Sequence, residues 1–490
     1  MFRFCRDGLW GRLATCGGLV TRLRRLATGA QDTILPHIGL ALLLATHLCA
    51  EPADWVWSAR YVITEDGAHR IIENGAVAVR GDRIVGVGTK AEIDAKFQAR
   101  RRLDRPDGIL APGLINTHTH AAMSLFRGIA DDLRLQEWLQ KYIFPAEAKN
   151  VSPDFVRWGT RLGCLEMLLG GTTTFTDMYY FEDVVAEAAK EAGMRGVLGE
   201  TIIGFPVADA KTPADALAFT EKYLTRFHDD PLITPAVAPH ALFTNSDETL
   251  KSCRALADKH GAPLIIHLSE TKQENDDVQT KRHMSPTKVL DSLGVFGGRT
   301  LAAHCVWVDE EDMAILKQRG VGVAHCPSSN MMLASGVAPV VRMLELGIAV
   351  GLGPDGPAGS NNDFNLFEEM DLAAKLQKVT RMDPRALPAT AALDMATIGG
   401  ARALGMEKEI GSLETGKRAD LILIRTDRPN AAPLYDVVSQ MVYALKASDV
   451  RDVMVNGRPV VSDGRILTLN AAAIMQKADE YRVKVRASLK

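Results

Sequence analysis

The chain has 490 residues, 47% of them hydrophobic and 24% charged, with a formal net charge of -3. That length can bury a site deep inside a large barrel and still build a smaller appendage, while the balanced charge argues against the basic surface that nucleic acid requires. Seven scattered cysteines, Cys5, Cys16, Cys49, Cys164, Cys253, Cys305 and Cys326, show no CxxC spacing, which argues against both a disulfide framework and a zinc-thiolate site. Cys305 and Cys326 each follow a histidine in apolar surroundings and read as small buried hydrophobes.

Residues 1–52 differ from the rest. Arg3, Arg6, Arg12, Arg22, Arg24 and Arg25 stand against one acid, Asp7, in the first thirty residues, and an apolar run from Ile38 to Ala45 ends near Ala50. This is the order of a secretory signal: basic, apolar, then a small residue for cleavage. The basic part is long, however, and Leu48 fits poorly three places before the cut, so an upstream extension from a misassigned start is the competing reading. The apolar run is too short for a stable membrane span. A signal peptide over 1–50 would imply export, in a bacterium to the periplasm.

From Trp55 to Gly88, short alternating bursts around Gly81-Asp82 predict β-hairpins. The same pattern returns in ADLILIRT and in DVMVNGRPVVSDGRIL, with Asn456-Gly457 and Asp463-Gly464 as turns. The two ends, 53–107 and 408–470, are expected to pair into one small β-sandwich domain, followed by a C-terminal helix over 471–490. Between them, over 108–407, apolar runs alternate with helix-period stretches: GLINTH, TTTFTDM, RGVLGETII, LITPAVAPH, PLIIHLSE, TLAAHCVW, VGVAHCPSS and IAVGLGPDG. Eight β-α units predict an α/β architecture with a closed (β/α)8 barrel. An open doubly wound sheet would want a glycine fingerprint after its first strand, and Gly170-Gly171 reads only as a helix end.

In such a barrel the chemistry sits where strands end. The first strand ends in His118-Thr119-His120, the fourth in His240, the fifth in His267, the sixth in His304 and the eighth in Asp355. Histidines two apart on a strand leave by the same face, with Cα atoms roughly 6–7 Å apart, so both rings can reach one metal. His267 and Asp355 complete a nitrogen and oxygen donor set suited to zinc or a similar divalent ion, with a position left for water. Taken singly, His240 or His304 would read as a hydrogen-bonded strand-end histidine. His37 and His47 lie in the leader; His69, His228, His260 and His283 fall in loops or on polar faces; His325 heads HCPSSN, a turn segment.

Glu270 follows His267 by three residues, where it can lean over a metal without ligating it, the place for a general acid-base. A charge at a helix N-terminus is its bland alternative. A bound ion would make water nucleophilic near neutral pH. Asp355 and His304 could orient that water and take its proton, while Glu270 protonates the ring nitrogen beside the attacked carbon. The fourth strand, LITPAVAPH, has no lysine to be carbamylated as a bridge between two ions, so one metal is expected.

The run APGLINTHTHAAMSLFRGIADDLRLQEWL, with HLSET, AAHCVW, HCPSSNMMLASG and GLGPDGPAGSNND, resembles the amidohydrolase superfamily, and within it the 5-methylthioadenosine/S-adenosylhomocysteine deaminases. The likeness spans about Ala53 to Leu469. It implies a mononuclear site, commonly zinc, on His118, His120, His267 and Asp355, with Glu270 as proton shuttle and His304 beside the nucleophile. It further implies that Glu147 binds ribose hydroxyls, that His240 contacts substrate and that Trp138 walls the pocket; the residues alone would make Glu147 a surface charge and Trp138 core. A small nucleoside substrate, a cytoplasmic home and room for a homo-oligomer follow from the same likeness.

Two departures stand out. Relatives that accept S-adenosylhomocysteine need a cation for its carboxylate, expected as arginine after the third strand; here ETIIGFPVADAKTPAD offers Glu200, Asp209 and Asp215 against Lys211. Met332 stands where lysine is usual. The leading expectation is therefore deamination of a 5'-modified adenosine, methylthioadenosine ahead of S-adenosylhomocysteine. Guanine, cytosine or triazine hydrolysis on the same barrel is the second reading, and a noncatalytic scaffold, which would be expected to lose ligands, is the third.

Overall fold

The computed structural model describes residues 50–489, so nearly all of the basic leader expected over 1–52 lies outside the described residues. Four strands open the fold: β1 (Glu51–Ile63), β2 (Ile71–Arg80), β3 (Arg83–Thr89) and β4 (Phe97–Pro112). Eight more make the barrel: β5 (Leu114–Thr119), β6 (Thr172–Tyr179), β7 (Arg195–Ile202), β8 (Ile233–Pro239), β9 (Leu264–Leu268), β10 (Thr300–His304), β11 (Gly322–His325) and β12 (Val350–Leu352). The chain then returns through β13 (Leu421–Arg425), β14 (Val450–Val455), β15 (Arg458–Ser462) and β16 (Arg465–Ile466), and closes on the helix Ala471–Ser488.

The two ends of the chain build one eight-stranded sheet in the order β16-β15-β14-β13-β4-β1-β2-β3. It curls on itself, because Ile84 N of the edge strand β3 donates to Lys417 O at 2.9 Å, just ahead of β13. Trp57, Val77, Leu110, Leu421, Leu423 and Met454 fill the space inside the curl. The tight turns are chemically dictated. Asn456 and Gly457 have φ of 51° and 76°, and Asp463 and Gly464 have 53° and 73°, the paired left-handed conformation of two-residue hairpins. A Cβ on Gly457 would lie 1.9 Å from the Gly81 carbonyl oxygen, so only glycine fits that contact.

Strands β5 to β12 form a closed barrel, and every pairing within it is parallel. Ile115, Val197, Ala236, Ile265, Leu301 and Ala324 point inward and pack together, joined by Ile398 and Leu404 from the last barrel helices. Alternate residues such as Phe175, Leu198, Val237, Ile266 and Val323 pack outward against the helical layer. The runs therefore read as continuous apolar segments because both faces of each strand are covered. Sheet and barrel are tied by a buried ion pair: Arg195 at the start of β7 bonds Asp420 at 2.9 Å, each 4% exposed, and Asp420 also accepts from Asn456 N. No helix among the described residues is long and apolar enough to cross a membrane.

Candidate active site

At the C-terminal mouth of the barrel the expected histidines converge. His118, from β5, has its ring 5.0 Å from that of His120, 4.9 Å from His267 and 5.4 Å from His304, measured between centroids. The ring of His240, directly after β8, lies 4.8 Å from His267. Asp355 Oδ1 stands 3.3 Å from His118 Nε2 and 3.2 Å from His120 Nε2. Ring nitrogens of His118, His120 and His267 lie within 4.8 Å of one another.

Backbone carbonyls aim two of these rings. His120 Nδ1 donates to Met178 O at 2.6 Å and His267 Nδ1 donates to His240 O at 2.8 Å, which leaves each Nε2 lone pair facing inward. Burial keeps His118 largely neutral, lowering it to about 4, and pulls His267 well below its usual value. Burial alone would raise Asp355, but the adjoining His118 and His120 rings hold its carboxylate well below the ordinary range. Both ring nitrogens of His118 are buried without a hydrogen-bond partner. An orphaned buried imidazole is costly, and a divalent cation is the partner that nitrogen and carboxylate donors of this kind accept.

Backbone strain completes the cluster. Ala303 packs in the barrel interior, so strict alternation would send the next side chain outward. His304 and Cys305 adopt φ of 71° and 47°, and the chain swings the His304 ring back over the mouth. Ser269 and Asp355 are also left-handed, at 49° and 64°. Four such non-glycine residues around one cluster mark a site held against local preference.

The short helix Pro327–Met332, which the sequence suggested was only a turn, supplies two supports. Ser329 Oγ donates to Asp355 Oδ2 at 2.7 Å, and His304 Nδ1 donates to Asn330 Oδ1 at 3.1 Å. The latter leaves His304 Nε2 as an acceptor 3.9 Å from Glu270 Oε2. Burial raises Glu270, so it tends to keep its proton, against the pull of His304. Glu274 anchors that segment by accepting from Glu270 N at 2.9 Å. None of Ser329, Asn330 or Glu274 was singled out from sequence; the SSN run after HCP was the available signal.

Beside the cluster lies a cavity of about 50 Å³ lined by His120, Trp138, Glu147, Tyr179, Tyr180 and His240, among others. Glu147 is buried and raised to about 7 by that burial, although Tyr179 donates to it at 2.7 Å. Trp138 Nε1 donates to Ala358 O at 2.8 Å, leaving its ring as wall. Burial lowers His240 to about 3, and its Nδ1 pairs with Thr244 Oγ1 at 3.1 Å. His325 is buried off this constellation, its ring nitrogens without partners. A larger groove of about 630 Å³, between Leu162, Phe364 and Met475, has no histidine in its lining.

The acids after the third barrel strand do not face a ligand as free charges. Glu200 accepts from Glu182 N, Asp209 from Phe181 N, and Asp215 forms a capping box with Thr212. They therefore carry no weight against a carboxylate-bearing substrate. Met332 is a partly exposed residue at the end of its helix, and nothing in the structure explains its replacement of lysine.

Comparison with known proteins agrees with this geometry. Residues 109–460 match the model of the amidohydrolase family. The chain is 48% identical over 419 residues to a 5-methylthioadenosine/S-adenosylhomocysteine deaminase of Syntrophus aciditrophicus, covering 86% of this chain and 94% of that protein. It is 49% identical over 416 residues to one of Syntrophobacter fumaroxidans, covering 85% and 94%. Among solved structures, an adenosine deaminase from Xanthomonas campestris with bound zinc superposes with a TM-score of 0.88 at 39% identity, over 90% of this chain and 100% of that one. With its metal-type cluster at the mouth of an eight-stranded barrel and these matches along most of its length, the chain belongs to the amidohydrolase family.

Proposed function

We propose that this chain is a metal-dependent hydrolase that deaminates a 5'-modified adenosine, 5-methylthioadenosine and also S-adenosylhomocysteine, to the inosine analogue and ammonia. The observation that carries the reading is that one cavity joins His120 of the metal-type cluster to Glu147, a buried carboxyl group able to accept two hydrogen bonds from a ribose diol. The names of the two bacterial relatives support the substrate class.

His118, His120, His267 and Asp355 would hold one ion, with zinc favoured by the metal in the solved relative. When bound, such an ion supplies Lewis acidity that makes water nucleophilic near neutral pH. The remaining work falls to the chain. His304 Nε2, freed as an acceptor by the bond from Nδ1 to Asn330, takes a proton from the attacking water. Glu270 delivers its proton to the ring nitrogen beside the reacting carbon; the carboxylate so formed takes the proton of the newly added hydroxyl and passes it to the departing amine, and the proton held by His304, 3.9 Å away, restores Glu270. Trp138 and His240 bound the base, and Glu147 fixes the ribose. Oxygen from water replaces the amine, which leaves as ammonia.

The test is ammonia release from a panel of methylthioadenosine, S-adenosylhomocysteine, adenosine, 5'-deoxyadenosine, guanine and cytosine. Turnover of the nucleosides is expected, with Glu147→Ala lowering kcat/KM for them by about 10²-fold, the scale of losing charge-assisted hydrogen bonds. Silence on every adenosine derivative, or equal losses on free bases, would sink the reading.

A further inference from the structure

Behind the pocket lies a set of buried acids that no catalytic step uses. The turn leaving β6 has three backbone N–H groups captured by carboxyl groups: Tyr179 N donates to Glu182 Oε1 at 2.8 Å, Phe181 N to Asp209 Oδ2 at 2.7 Å and Glu182 N to Glu200 Oε2 at 2.9 Å. Phe181 has φ of 56°, a conformation that a phenylalanine holds only where its surroundings enforce it. Those acceptors are what enforce it.

The remaining oxygens, Asp177 Oδ2, Glu182 Oε2, Glu200 Oε1 and Asp209 Oδ1, are buried away from any ordinary donor. Carboxyl stands beside carboxyl instead, Asp177 by Glu182 and Glu200 by Asp209, and burial raises all four above the ordinary carboxyl range. Neighbouring carboxyl groups disfavour ionisation of both members of a pair at once. The turn held in this way delivers Tyr179 and Tyr180, their rings 5.0 Å apart, to Glu147, to which the Tyr179 hydroxyl donates at 2.7 Å.

We propose that Glu200 and Asp209 are positioning residues for substrate affinity: the hydrogen bonds they accept from Glu182 N and Phe181 N lock the Tyr179–Glu182 turn and, through Tyr179, orient the Glu147 carboxyl group toward a ribose diol. The inference rests on the functional reading above. It assigns Glu200 of β7 and Asp209 of the loop that follows to the nucleoside end of the pocket, acting from behind it.

Steady-state kinetics on methylthioadenosine with the metal-loaded full chain test it. Asp209→Ala removes the acceptor of Phe181 N and the partner of Glu200; KM is expected to rise about tenfold while kcat stays within threefold. In Asp209→Asn the amide oxygen still accepts from Phe181 N and the amide N–H donates to Glu200, so KM should return to within twofold of wild type. A merely structural role lowers the active fraction, and hence kcat, without moving KM. If Asp209→Ala does not fold, Asp209→Glu displaces the acceptor by one methylene and should raise KM in the same way. An unchanged KM in the displaced or truncated variant, or an Asn variant as impaired as the Ala variant, overturns the proposal. Wild type in the same assay separates the two claims: no nucleoside turnover by wild type refutes the functional reading, whereas wild-type turnover with KM insensitive to Asp209 refutes this inference alone.

Discussion

Asn330 reaches no substrate, yet its Oδ1 decides which nitrogen of His304 carries the proton. Asn330→Ala should therefore let the ring change tautomer and turn, lowering kcat by about 10- to 100-fold, the usual cost of losing such a support. Metal content, read by elemental analysis, is expected to stay at the wild-type level, because His304 is not among the four residues assigned to the ion; a parallel loss of metal would contradict the role. The convergence of His118, His120, His267, Glu270, His304 and Asp355 was legible in sequence because these residue types fall at or just past predictable strand ends. Asn330, Ser329 and the tyrosine pair were not, because their roles depend on a left-handed backbone at His304 and Asp355 and on a turn held by distant acids. Spacing along the chain encodes neither.

Among the elements, the hairpins and barrel strands follow directly from pattern. Asn456-Gly457 and Asp463-Gly464 announced their turns, and the eight apolar runs announced eight parallel strands. What pattern could not give was how the terminal strands join: β4 and β13, some three hundred residues apart, pair antiparallel from Leu421 opposite Pro112 to Arg425 opposite Gly108. The Arg195 and Asp420 ion pair that pins this sheet to β7 was likewise invisible, since each partner is unexceptional alone. Asp420→Ala would leave a buried guanidinium without its charge partner and free Asn456 N as well, at a cost of about 3–5 kcal/mol. Thermal unfolding should register a clear fall in Tm, and Asp420→Asn, which keeps acceptor oxygen, a smaller one.

At the scale of the whole molecule, buried acids set the pH response. Burial raises Glu274 to about 7 and Glu369 to about 8, from an ordinary value of 4.5. Each binds its proton more tightly when folded, so the stability it contributes is complete below about pH 4.5 and is lost as pH rises through 7 to 8. Thermal midpoints followed from pH 6 to 9 should fall, and Glu369→Gln, permanently neutral, should fall less steeply; identical slopes for the two proteins would count against this account. The small cavity beside Glu147 has a consequence of a different kind. At about 50 Å³ it is far smaller than the roughly 300–1,000 Å³ of pockets that enclose a drug-sized ligand. A ligand of nucleoside size would displace part of this wall, and the one-turn π-helix Trp138–Ile143, which contributes Trp138, Leu139 and Ile143 to it, is the segment whose hydrogen bonding is already off the regular ladder. If that displacement limits product escape, kcat is expected to fall as solvent viscosity rises, and a kcat indifferent to viscosity would leave chemistry as the slow step.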